Sequence, residues 1–85
     1  MEIKLEHFVH DLVWLIKKDY NDSLHRMRTS NVEAERLFAE AQHLAYFDVL
    51  QLIENQLQAF GAREEFYKGV APEPGQEAEF KKASF

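Results

Sequence analysis

SNVEAERLFAEAQHLAYFDVLQLIENQLQAFG, residues 30–61, holds no proline and no glycine before its last position, and alanine, leucine, glutamate and glutamine dominate it. Those are strong helix formers, so the stretch predicts one long helix. Ser30-Asn31-Val32-Glu33 has the spacing of a capping box, in which the serine hydroxyl accepts from the N3 backbone N–H and the glutamate bonds back. Gly61 can take the left-handed conformation that closes a helix. Ala34, Phe38, Ala41, Ala45, Val49, Leu52, Ile53, Gln56 and Phe60 fall along one strip, and Leu37, Leu44, Leu50 and Leu57 flank it. The apolar sector is far wider than the ~100° that serves a single partner.

Outward from this helix toward the N-terminus, a second helix is expected from about Glu2 to about Arg28. Leu5, Phe8, Val9, Leu12, Leu15, Ile16, Tyr20, Leu24 and Met27 step by three and four, the period of an amphipathic helix. Thr29 and Ser30 leave room only for a tight connection, which makes the two helices antiparallel neighbours. In that hairpin Arg26 is expected to face Glu33, and Asp19 to face Gln42, as polar pairs setting the register. One facing helix cannot cover so broad an apolar sector. The expectation is therefore an all-α antiparallel hairpin that pairs as a dimeric four-helix bundle, with Phe38, Ala41, Ala45, Val49 and Leu52 at the seam.

Toward the C-terminus, Ala62 to Lys68 has room for two helical turns presenting Phe66 and Tyr67. Gly69, Pro72, Pro74 and Gly75 then end regular structure. Residues 1–68 are expected to form the hairpin domain and residues 69–85 a flexible tail whose only large apolar groups are Phe80 and Phe85. A short helix around Phe80 docked on the bundle is the alternative.

Composition limits the functions open to such a fold. At 85 residues the chain is near the size where a single core is marginal and association helps. A net charge of -5, with lysine and arginine scattered in pairs, disfavours nucleic acid, which requires clustered cations on one face. The absence of cysteine fits a reducing cytoplasm. The apolar run Phe8 to Ile16 is broken by His10 and Asp11 and is too short to span a bilayer, so no membrane association is expected.

Motifs for chemistry are weak. Glu40 and His43 have the Glu-x-x-His spacing of di-iron bundles, and His7 and His10 repeat the i, i+3 step. Glu40 and His43 are expected to project opposite the apolar strip, however, and ligands of a bundle site must point inward. No metal and no cofactor is therefore expected. No nucleophile elbow or phosphate-cradling glycine array occurs, and paired carboxylates such as Glu64 and Glu65 have no rigid cleft, so the chain is not expected to be an enzyme. Trp14 and Phe47 lie off the stripes at one level of the hairpin and are candidates for binding a partner protein, because large aromatics are enriched in interface cores.

In general layout the chain is similar to small bacterial helical-hairpin regulators, such as the aspartyl-phosphate phosphatases that act on sporulation response regulators. Glu40 to Leu44 reads Glu-Ala-Gln-His-Leu in place of that family's Ser-Gln-Glu-Leu-Asp signature, and no family is assigned. The sequence supports a non-enzymatic interaction or adaptor protein whose partner is a second copy of itself. The alternatives are a regulator that engages a signalling protein through Trp14 and Phe47, and a helical metal-binding protein.

Overall fold

The computed structural model describes residues 3–80. Two long helices, α1 (Ile3–Thr29) and α2 (Glu33–Ala59), pack against each other, and a single-turn helix α3 (Glu64–Tyr67) follows. The described residues contain no strand. The molecule measures 45 × 21 × 16 Å, a rod whose length is that of one helix. No described helix is long and apolar enough to cross a membrane.

The ends of α2 are set by different means. Gly61 sits at φ +80°, its N–H bonds to Gln58 O at 3.1 Å, and the Ala62 N–H bonds to Leu57 O at 2.9 Å. That pair of bonds is a Schellman motif, and it satisfies carbonyls the helix would otherwise leave open. The start differs from the sequence expectation. Val32 is the N-cap and makes no side-chain cap bond, so Glu33 is the first helical residue and not the third. Ser30 Oγ instead accepts from the Val32 N–H at 3.2 Å, a local turn in which Asn31 and Val32 reverse the chain.

Those extra turn residues shift the register. Arg26 Nη2 donates to Gln42 Oε1 at 2.9 Å in place of facing Glu33, and Asp19 lines a hollow with Asp22, His25, Arg26 and Tyr46. At the open end of the hairpin, Arg63 pairs with Glu6 at 2.9 Å, so the chain leaving α2 is tied to the first turns of α1.

The inward line of α2 is Ala39, His43, Tyr46, Leu50, Ile53 and Leu57, spaced alternately by four and three. On α1 the inward line runs through Val9, Val13, Ile16, Tyr20, Leu24 and Met27. The single stripe expected on α1 is therefore divided. Leu5, Phe8, Leu12 and Leu15, which the period also admits, are exposed.

Where the sequence expects a tail, the structure packs the chain back onto the hairpin. Val70 and Ala78 are buried members of the core and Ala71 packs against it. The Ala71 N–H bonds to Glu54 Oε1 on α2 at 3.1 Å. Glycine and proline do end helical structure here, but the reversals they permit return small apolar groups to the helices. Phe85 lies outside the described residues.

Candidate interaction surfaces

The hairpin has two unlike faces, and helix geometry explains both. Each residue advances the side chain by 100° around an α-helix. On α1, Leu5, Phe8, Leu12 and Leu15 each come one position before an inward residue, namely Glu6, Val9, Val13 and Ile16. On α2, Phe38, Ala45, Val49 and Leu52 each come one position before Ala39, Tyr46, Leu50 and Ile53. Because the helices are antiparallel, the same sense of rotation on both carries the two stripes to one side of the hairpin. Phe8 and Phe38 are each 61% exposed there; Leu15, Val49 and Leu52 are exposed toward the open end with Phe8, whereas Phe38 lies at the turn end beyond Gln42. All five expected seam residues, Phe38, Ala41, Ala45, Val49 and Leu52, are exposed. Toward the turn the face becomes polar, with Asp19, Asp22 and the Arg26–Gln42 bond.

Residues one position after the inward line point to the other face, which residues 70–80 cover in part. Lys17, Asn21 and Arg28 on α1 follow Ile16, Tyr20 and Met27, and all three hold residues 75–79. Glu54, which follows Ile53 on α2, holds Ala71. Trp14 and Phe47 belong to this covered side. The Trp14 ring packs on Phe80 with centroids 5.4 Å apart, and Phe47 is partly buried against the core. The expected aromatic pair is therefore engaged within the molecule, although Trp14 keeps 43% of its surface exposed.

His43 departs most from its sequence reading. It lies inward, 6% exposed, with its ring 5.0 Å from that of Tyr20 and neither ring nitrogen hydrogen-bonded. The apolar strip centred on Phe38 and Ala45 had placed it outward. The helix is rotated from that expectation because α1 takes the Leu50 and Leu57 side. Glu40 remains exposed, so the Glu-x-x-His pair does not converge. His10 lies near Asp11 at 3.8 Å at the far end of the hairpin. Among the described residues no group of three or more histidine, aspartate or glutamate side chains could hold a metal ion.

Tyr20 is wholly buried and donates from its hydroxyl to Gln76 O at 2.7 Å. Burial pushes its pKa above the ordinary 10.0, with the Arg28 charge nearby partly offsetting the shift. Sequence reasoning took Tyr20 as a core residue but gave no sign of its polar partner, which is 56 positions away.

No family model matches this chain, and no curated protein or solved structure matches it either.

Proposed function

We propose that this chain is a non-enzymatic interaction protein of the cytoplasm that self-associates, two hairpins pairing through their bare apolar faces into a four-helix bundle. The observation that carries this reading is the placement of two exposed apolar stripes on one side, opposite the side that residues 70–80 cover. Contiguous exposed apolar groups of this kind mark association sites. Ala41 and Ala45 allow close approach of two α2 helices, with Phe38, Val49 and Leu52 packed around them and Leu5, Phe8, Leu12 and Leu15 widening the contact. The cytoplasmic assignment is supported by the cysteine-free sequence.

Light scattering on the purified full chain tests this reading. The wild type is expected at twice the chain mass, and Ala45→Glu is expected as a helical monomer, because two-fold symmetry places the new charge in the seam twice. A fully helical wild type that stays monomeric at high concentration sinks the reading.

A further inference from the structure

The covered face carries a separate inference. α1 holds residues 75–79 by five hydrogen bonds, and every one of them goes to the main chain. Arg28 Nη2 donates to Gly75 O at 2.6 Å, the Tyr20 hydroxyl to Gln76 O at 2.7 Å, and Lys17 Nζ to Glu79 O at 2.9 Å. Asn21 grips Ala78 from both sides: its Nδ2 donates to Ala78 O at 3.0 Å, and its Oδ1 accepts from the Ala78 N–H at 2.7 Å. That two-bond grip reproduces with a side-chain amide what a neighbouring β-strand does with its backbone. The side chains of Gln76, Glu77 and Glu79 are exposed, so α1 does not select them. Only two side chains are read: Ala78, 5% exposed in the core cluster, and Phe80, packed on Trp14.

The geometry points to a peptide-binding site on this face of α1, which takes a segment of the pattern small–any–aromatic and is held closed by the chain's own residues 75–80. A segment that served only to complete the core would be held through its apolar side chains. This one is held through atoms that any peptide possesses, with polar donors placed along about three turns of one helix. A shallow, open hollow lined by Asn21, Arg28 and residues 76–80 runs along the segment, so solvent reaches its outer side. Tethering gives the resident segment an effective concentration in the millimolar range, which a free peptide must overcome. The site lies opposite the apolar face, so it stands or falls independently of self-association.

The test is fluorescence anisotropy of a labelled peptide copying residues 74–80, with blocked ends, titrated with full-length protein. Wild type is expected to bind weakly. Ala78→Asp cannot seat its own segment and is expected to bind the peptide at least tenfold more tightly while keeping its helical circular dichroism. Adding Asn21→Ala to that variant is expected to abolish the gain, and a peptide with aspartate at the Ala78 position is expected not to bind. The inference is overturned if Ala78→Asp binds no better than wild type. It is equally overturned if Ala78→Asp loses its helices, because the segment is then an integral part of the core and not an exchangeable occupant.

Discussion

Tyr20 and His43 meet at the middle of the hairpin, and each gives a prediction at the scale of one side chain. The folded state holds the Tyr20 phenolic proton more tightly than the unfolded chain does, because burial disfavours the phenolate. A raised acid pKa contributes stability that is intact below the unfolded value and lost as pH climbs through it toward the folded one. Stability of the wild type is therefore expected to fall above about pH 10, and Tyr20→Phe to flatten that fall while costing about 1 kcal/mol at neutral pH through the lost bond to Gln76. Denaturant melts across the alkaline range measure both effects, and a Phe variant as alkali-sensitive as wild type would rule Tyr20 out as the cause. At His43, two buried nitrogens without hydrogen bonds lower stability. His43→Phe keeps a ring against Tyr20 and removes both polar atoms, so it is expected to stabilise by about 1 kcal/mol or more, read from the shift in denaturation midpoint. The inward position of His43 was not legible in the sequence, because a polar side chain adds nothing to an apolar period, whereas Tyr20, Leu24 and Met27 announced themselves by their spacing.

At the scale of elements, starts and stops were unequally legible. Gly61 reads as a stop because its φ of +80° strains any residue with a Cβ, and nothing lies within 4 Å of the position such an atom would take. Gly61→Ala is therefore expected to cost about 1 kcal/mol through backbone strain alone. Ser30→Ala is expected to cost less than the ~1 kcal/mol of a true N-cap, because Ser30 bonds only within its own turn. Thermal melts of the two variants compare them directly, and a Ser30→Ala loss as large as that at Gly61 would restore the serine as a cap. The start was misplaced because a Ser-x-x-Glu pattern fits equally a helix that begins two residues later. The segment after Lys68 was legible as non-helical but not as packed, since Val70 and Ala78 enter the core without any period to betray them. Removing everything beyond Lys68 uncovers that side of α1 and is expected to cost about 2 kcal/mol, roughly 10 °C in melting temperature, with the hairpin still helical. An unchanged melting temperature would mean that residues 70–80 add nothing to stability.

At the scale of the whole molecule, apolar groups are buried between the helices and under residues 70–80, and the broadest exposed set lies on the opposite side. α1 and α2 cover each other, residues 70–80 cover one outer side, and the opposite side presents Leu5, Phe8, Leu12, Leu15, Phe38, Val49 and Leu52 to water. The breadth of the apolar sector on α2 was visible in the sequence. The contribution of α1 was not, because its two stripes differ by one residue and merge when read as a single amphipathic face. This division makes the final expectation one of position and not of hydrophobicity. Leu12 on the bare face is 40% exposed, and Leu44, on neither the bare face nor the inward line, is 52% exposed. General stickiness would make Leu44→Glu the more effective substitution, since it removes the more exposed group. A specific seam requires the reverse: Leu12→Glu places a charge in the interface of both copies and is expected to yield monomer, while Leu44→Glu leaves the dimer intact. Mass action adds a second readout, because a dimer melts at a temperature that rises with concentration and a monomer does not. Melts over about a hundredfold range of concentration are therefore expected to be concentration-dependent for wild type and Leu44→Glu, and flat for Leu12→Glu. Two leucine variants that behave alike in both measurements would remove the bare face as the basis of association.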